Sequence, residues 1–576
     1  MFQLYYKKND NSKLFNSLSN IGISNIQNFI PLYKNFFDLN KDNYNKINLN
    51  NHFNLREIKN NNLNNKVKNN KNEDNVEELE DAENNIFKCS IESKSSKVNT
   101  ETFFKYSPLI DPIKYMTGKY KNIDDILLEL PKFGENKCHK KVLDVNNSAY
   151  VDSFFTYLTS MLLHENKFIH GVDFYGSFLC IKNDYQCDVL DDLDFLNDNE
   201  YFHKNKDDKF KLITNNYDLF LENSSRNYKK KLKFINGTAN ISIKSISNSI
   251  YENIFCENKS TNNTEDIGSL IFESNNKSNS KSTHSSCSSR CSSTSNSSNN
   301  ESDNDSSSEN GSDDSDSSCY SLDSNTNCNV IIKQFPIQII ALEKLNRTLD
   351  SLLYDDIPVS EWASCLFQII MILITYQKVF SLTHNDLHTN NIMFNETEKQ
   401  YIIYKYDNKY YKVPTYGRLF KIIDFGRAIY KFKNKCICSD SFHHNGDAAT
   451  QYNFEPYLNK NKPRLEPNPS FDLCRLGCSL YDYFKDTLED KFDSDPVAQL
   501  VNSWCSDDKG KNILYKKCGE ERYPDFKLYK MIARTVHNHT PQNQIANPLF
   551  SGFLSSKKQA GKRKIINIDE FKPCFS

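Results

Sequence analysis

Between Val359 and Tyr376 the sequence VSEWASCLFQIIMILITY sets Trp362, Leu366, Ile369, Ile370 and Leu373 at helical spacing and leaves almost no polar face. A helix that is apolar all round has to be buried on most sides, so this stretch demands a shell of other elements around it. Its longest apolar run, Phe367–Tyr376, is about half of a membrane span, which makes it a core helix rather than an anchor. The residues that follow are opposite in character. Leu382–Met393, LTHNDLHTNNIM, crowds His, Asn and Asp side chains against that core element. Polar groups placed there are costly unless they hydrogen-bond or bind something.

The shell is smaller than the 576 residues suggest. Runs of Asn, Lys and Ser dilute the chain, only 38% of residues are hydrophobic, and mean hydropathy is −0.68. Size scaling then leaves roughly 300–350 residues of packed core, the rest being insertions and tails. A net charge of −2 gives no global basic field for nucleic acid. The basic run Lys557–Lys564 (KKQAGKRK) reads as a solvated tail. The start, MFQLYYKKND, lacks a charged segment followed by an apolar one, so no signal peptide is expected. Seventeen cysteines include no C-x-x-C pair, and Cys436-x-Cys438 followed by His443-His444 fits no standard zinc spacing. The expectation is a soluble intracellular monomer, with neither nucleic acid nor membrane as partner.

Residues 1–85 read as an N-terminal extension, helical in pieces near Leu14–Phe37 and loose over Asn40–Asn75. From Ile86 the pattern turns strand-like: IFKCSIES, a polar turn, then TETFFKYSPLI, as in a hairpin. Val151, Phe154, Phe155, Leu158, Met161 and Leu162 fall at helical spacing, and the β-rich FIHGVDFYGSFLCI follows. An insertion is expected over about 182–328. Its Ser/Asn/Asp tract, 274–327, has too little apolar content to fold and ends in the acidic run NDSSSENGSDDSDSS. Strand pattern returns in VIIKQFPIQIIAL, then the core helix, the polar loop and two strand-like runs, and helices dominate beyond Ser470. Strands first, then helices, with a polar loop at the join, is an α+β layout with two lobes.

Phosphoryl transfer from ATP needs a carboxylate to orient the acceptor hydroxyl and take its proton, and oxygen ligands for Mg²⁺. In the polar loop Asp386 is followed five positions on by Asn391, and Asp424 in IIDFGRA supplies a second oxygen ligand, with Gly426 allowing an abrupt turn. HNDLHTNNIM resembles the protein-kinase catalytic loop H-R-D-L-x-x-x-N, and IIDFG resembles the kinase Mg²⁺-binding motif. The two aspartates stand 38 positions apart in the expected order. SFDLCRLG resembles the buried helix whose Asp, here Asp472, caps the catalytic-loop backbone. The phrases SPLIDPIKYMTGKY, FYGSF, DAATQYNFEPY and PRLEPN are similar to those of the divergent serine/threonine protein kinases of giant DNA viruses.

That resemblance implies a bilobal protein kinase-like fold, with a small β-rich N-lobe over 86–342, a larger helical C-lobe over 343–550 and a basic tail over 551–576. It implies ATP and Mg²⁺ as cofactors, an unidentified protein substrate, and a place in the host cytoplasm or the virion. Asp386 would be the base, with His388 beside it; Asn391 and Asp424 would hold the metal. Lys105 would hold the α- and β-phosphates, Glu343 and Leu345 would meet adenine at the hinge, and Asp350 would contact ribose. The chain departs from the family pattern in three places. No Gly-rich loop precedes the TFFKYSP strand, Asn385 replaces the Arg that reads activation-loop phosphorylation, and His388 stands where Ser/Thr kinases carry Lys. Neither Asp152 nor Glu165 is assigned as the acid partner of Lys105. The readings carried forward are a Ser/Thr protein kinase, a small-molecule phosphotransferase of related fold, and a pseudokinase scaffold.

Overall fold

The computed structural model describes residues 3–8, 10–59, 85–120, 123–135, 137–214, 328–355, 357–560 and 564–575. The tract 274–327 lies outside these residues. Helices of eight or more residues are numbered. The chain opens with β1 (Tyr6–Lys8), α1 (Ser12–Ser19), β2 (Ile23–Gln27) and β3 (Ile47–Leu49), β1 and β3 forming a ladder of their own. It continues through β4 (Asn54–Ile58), β5 (Ile86–Glu92), β6 (Lys97–Pro108), α2 (Ser148–Glu165), β7 (Phe174–Asp188), β8 (Phe210–Thr214) and β9 (Cys328–Glu343). These make a curled seven-stranded antiparallel sheet in the order β2-β7-β9-β6-β5-β4, with β8 also pairing on β9.

The axis of that sheet is the long pair β7·β9, in register from Phe174↔Leu342 to Asp188↔Asn329 with one shift beside Gly176. Over Val330–Lys333 burial alternates, as for a strand with one wet face, whereas Phe335–Leu342 is buried throughout. Both faces are therefore covered at the Glu343 end. Helix α2 packs there, buried at every position from Ala149 to Leu162. A Cβ on Gly171 would lie 2.2 Å from the Thr159 carbonyl oxygen, so only glycine lets the α2–β7 connection cross the helix this closely.

After β10 (Arg347–Thr348) comes α3 (Val359–Phe380), the core helix. Among the described residues it is the one helix long and apolar enough to cross a bilayer, and 89% of its most apolar window is buried inside the protein. It stops at Ser381, whose left-handed backbone (φ +52°) returns N–H bonds to Tyr376 and Gln377. Four strands follow where two were expected: β11 (Ile392–Glu396), the hairpin β12 (Tyr401–Tyr406) and β13 (Lys409–Pro414), and β14 (Arg418–Ile422). The small hairpin β15 (Ile429–Phe432) and β16 (Lys435–Cys438) leads on to α4 (Phe471–Leu488), α5 (Pro496–Trp504) and α6 (Phe526–Thr535). Gly477 in α4 faces Trp504, where a Cβ would come within 2.9 Å of that side chain.

The structure differs from the sequence reading at three margins. The N-terminal extension, expected to be helical in pieces near Leu14–Phe37 and loose over Asn40–Asn75, carries β2 and β4 of the main sheet, with Ile23, Leu55 and Ile58 buried. Its asparagines satisfy backbone groups: Asn45 Oδ1 accepts from the N–H groups of Asn28 and Phe29 at 2.8 and 3.1 Å. The start of the expected insertion is the rest of β7, two short helices and β8. The expected tail adds β17 (Leu554–Ser555) and β18 (Ile565–Asn567) to the β12–β13 hairpin. Beyond them Cys574 pins its backbone to both Val379 and Lys433 at 2.8 Å.

His170 fastens these layers together. Fully buried, its Nδ1 donates to the Phe420 carbonyl at 2.7 Å and its Nε2 accepts from the Tyr404 hydroxyl at 2.6 Å. Burial pushes its pKa down from 6.5 to about 4. The unfolded chain therefore takes up this proton first, and stability is lost as pH falls from 6.5 towards 4. By pH 5 this group alone removes about 2 kcal/mol. Urea midpoints at pH 7 and pH 5 should differ less in His170→Gln than in wild type.

Candidate active site

A cleft of about 450 Å³ opens beneath the sheet, lined by Ile86, Phe103 and Ile340 above, Met393 and Ile423 below, and the Glu343–Asn346 linker at the back. This is the size range of small-ligand sites. Lys105, in the middle of β6, reaches into it. Its Nζ lies 2.7 Å from Asp152 Oδ2 on α2 and 2.9 Å from Asp424 Oδ1 just past β14. Asp152 is thus the acid partner left unassigned by the sequence. Its other oxygen accepts the Phe425 N–H at 2.8 Å. The only hint was that it is the one acid in the buried first half of α2.

Electrostatics separate the two carboxylates. Burial raises the pKa of Asp152 despite the Lys105 charge. Asp424 keeps 45% of its side chain open to the cleft. Burial acts on it too, but the charge and hydrogen bond of Lys105 outweigh it and hold Asp424 well below the usual carboxylate range. Desolvation opposes the charge on Lys105, and the two carboxylates overcome it and raise its pKa. At neutral pH the cleft presents a fixed cation beside an open carboxylate.

Asp424 adopts a left-handed backbone (φ +62°), uncommon for a non-glycine residue, with its Oδ1 3.3 Å from the Gly426 N–H. Phe425 is held in an aromatic cluster, 4.5 Å from Phe155 of α2 and 5.3 Å from His384 between ring centroids. The β11·β14 ladder pairs Ile392 with Ile422 and continues with the Ile423 N–H on the Asn391 carbonyl at 3.0 Å. Asn391 and Asp424 consequently sit at the same end of two bonded strands.

The polar loop hangs from α4. Asp472, fully buried, accepts the backbone N–H groups of His384 and Asn385, both at 2.9 Å. His384 Nε2 donates to the Ile423 carbonyl at 2.9 Å, tying the loop to the strand that ends in Asp424. Asn385 is left-handed (φ +66°), a conformation Asn tolerates better than most residues. Its amide donates to the carbonyls of Thr383 and Arg427 at 3.1 Å, and its oxygen accepts from the Tyr452 hydroxyl at 2.7 Å. The Asn385 side chain is therefore held by neutral partners.

Asp386 is only 6% exposed, with Oδ1 2.9 Å from the Tyr529 hydroxyl. Burial opposes its charge, but Arg427, His388 and Arg475 together with the Tyr529 bond keep its pKa lowered. Asn391 donates its amide hydrogens to the Asp386 carbonyl at 2.9 Å and to His388 Nε2 at 3.1 Å, which leaves its oxygen as the atom for a cation. Burial takes His388 down to about 4, so near neutrality it is an uncharged hydrogen-bond partner.

The structure brings Lys105, Glu343, Leu345 and Asp424 to one cleft. Glu343 is already engaged: its N–H donates to Asp173 at 3.0 Å, and its carboxylate takes the Asp173 N–H at 2.7 Å and the buried Lys421. Leu345 remains as the linker residue on the cleft wall. Asp350 accepts from the Thr389 hydroxyl at 2.6 Å and braces the polar loop instead of lining the cleft. The turn before the Lys105 strand is closed on Ser93, whose N–H reaches Ser96 at 2.8 Å. Past Phe425, Arg427 pairs with Asp447, and Asp440 pairs with Lys141 while capping the Ser148 N–H at 3.0 Å. Among the described residues no group of three or more His, Cys, Asp or Glu is placed to hold a metal, the Cys436–His444 region included.

No family model matches the chain, and no curated protein does either.

The Lys105 triad makes its own test. Lys105→Met leaves two carboxylates without their cation and should cost about 3–5 kcal/mol of stability at pH 7. Adding Asp152→Asn should return part of that loss, read as the thermal midpoint of the single and double variants.

Proposed function

We propose that the protein is an ATP- and Mg²⁺-dependent phosphotransferase of the protein-kinase type, passing the γ-phosphate to a Ser or Thr hydroxyl. The observation that carries this reading is Lys105 held between Asp152 and Asp424, in a cleft whose floor is tied through His384 to the loop bearing Asp386. A β-rich portion before Glu343 and a portion built around α3 and α4 after it agree with a bilobal kinase-like fold.

In this reading Lys105 binds the α- and β-phosphates, and Leu345 and the cleft walls take the base. Asp424 and the amide oxygen of Asn391 would hold Mg²⁺, a hard cation that suits one carboxylate, one amide oxygen and phosphate oxygens; the metal would neutralise charge on the transferring group. Asp386 stays ionised, orients the acceptor hydroxyl and takes its proton. His388, being neutral, contributes a hydrogen bond where Lys would contribute charge. With Asn385 bound by Tyr452, transfer does not wait on a phosphorylated loop.

A second reading, transfer to a small hydroxylated molecule, is favoured by the 6% exposure of Asp386 and by His388. A pseudokinase scaffold is disfavoured because base, metal ligands and lysine are all present, with Lys105 paired to Asp424 and the Asn391 amide bonded to the Asp386 carbonyl.

With labelled ATP and Mg²⁺, the wild-type protein should label itself or a generic protein acceptor, and Asp386→Asn should reduce the rate about 10²- to 10⁴-fold. Label appearing only on a small hydroxylated acceptor moves the assignment to the second reading. Equal rates from wild type and variant would remove the role given to Asp386.

A further inference from the structure

The group lying on the Asp386 carboxylate comes from far away in the sequence. Tyr529, on α6, donates its hydroxyl hydrogen to Asp386 Oδ1 at 2.9 Å. The same hydroxyl oxygen accepts from Arg475 Nε, also at 2.9 Å. A guanidinium has only hydrogens to offer, so it fills a lone pair of the phenol oxygen. The phenol has one hydrogen, and the carboxylate is the acceptor left for it. The order Arg475→Tyr529→Asp386 therefore runs in one direction.

The relay is also rigid. Tyr529 is 5% exposed and Arg475 is 3% exposed. The guanidinium carbons of Arg475 and Arg427 stand 5.2 and 5.5 Å from the centre of the Tyr529 ring, within cation–π range. Arg475 belongs to α4, three positions after Asp472, so the helix that holds the loop's backbone also holds, through Tyr529, its central side chain. The phenol ring is further packed on Phe526, 5.3 Å between centroids and nearly parallel.

We propose that Tyr529 is a positioning residue for the transfer reaction, an inference that rests on the phosphotransferase reading. By occupying Oδ1 it fixes the carboxylate's rotation and reserves Oδ2 for the acceptor. In the step itself the acceptor hydroxyl gives its proton to Oδ2 while its oxygen bonds to the γ-phosphorus and the bond to the β-phosphate bridging oxygen breaks, leaving ADP. Tyr529 keeps its own proton throughout. A carboxylate free to turn would spend part of its time with neither oxygen aligned, and misplacement of this kind lowers the rate of the chemical step rather than nucleotide binding.

The test is Tyr529→Phe, which keeps the ring and removes only the hydroxyl. Kcat for phosphate transfer should fall about 10- to 100-fold, while KM for ATP stays within about twofold of wild type. Arg475→Gln should show the same split. The double variant should be no slower than the slower single one, because both changes break the same relay. Unchanged or raised kcat in Tyr529→Phe overturns the inference, a rise meaning that the phenol obstructs the acceptor. Parallel loss of kcat and ATP affinity overturns it as well, marking a merely structural contact. Wild type active and Asp386→Asn inactive leaves the phosphotransferase reading standing whatever Tyr529→Phe does. A wild type that transfers to no acceptor removes both.

Discussion

A single ammonium group organises the cleft. Lys105 arrives from the sheet, Asp152 from α2 and Asp424 from the end of the β14 strand, three segments that share nothing locally. A cation this desolvated is tolerable only with carboxylates against it, and a carboxylate as buried as Asp152 is tolerable only with a cation and a donor on its two oxygens. Each element therefore needs the other two. The Phe425 N–H on the second oxygen of Asp152 extends the dependence to the backbone after Asp424, and the Phe155–Phe425 contact converts it into packing. Sheet, helix and loop are fixed as one body because none of them can neutralise its own charge.

The same logic recurs one layer down with N–H groups in place of a charge. The polar loop makes no regular secondary structure around Asp386, so its N–H groups need partners from elsewhere. Asp472 supplies them from within α4, and His384 closes the circuit to Ile423. The loop is polar in composition and rigid in place, and both properties follow from these buried acceptors. Asn385 fits the scheme because its short amide both tolerates a left-handed backbone and bonds three neighbours at once.

What could be read from the sequence was what is local. Asp386, Asn391 and Asp424 stand out as candidates by residue type and spacing, and α3 by the absence of a polar face. Asp152 stands 47 positions from Lys105, and Tyr529 stands 143 from Asp386, distances at which spacing carries no information. Glu343 does end its strand, as the sequence pattern predicts, but its bonds to Asp173 and Lys421 depend on chain crossings no periodicity encodes. The N-terminal asparagines misled for a different reason. Asn counts as a turn former when taken singly, whereas here Asn28, Asn45 and Asn50 serve as acceptors and donors inside the packed part, leaving their neighbours Ile47, Leu49 and Leu55 free to be buried.

The ladder of β8 on β9 has a consequence for how this chain can vary. Its last pair is Thr214 opposite Cys328, so the path leaves the sheet and rejoins it at adjacent points. Cys328 is also 15 residues along β9 from Glu343, roughly 50 Å at strand rise, and thus at the far end from the cleft. Each doubling of the length spanning two such points costs only about 0.6 kcal/mol. A change in the number of residues joining Thr214 to Cys328 would therefore leave the register of β9 at its Glu343 end, and with it the cleft wall, where it is.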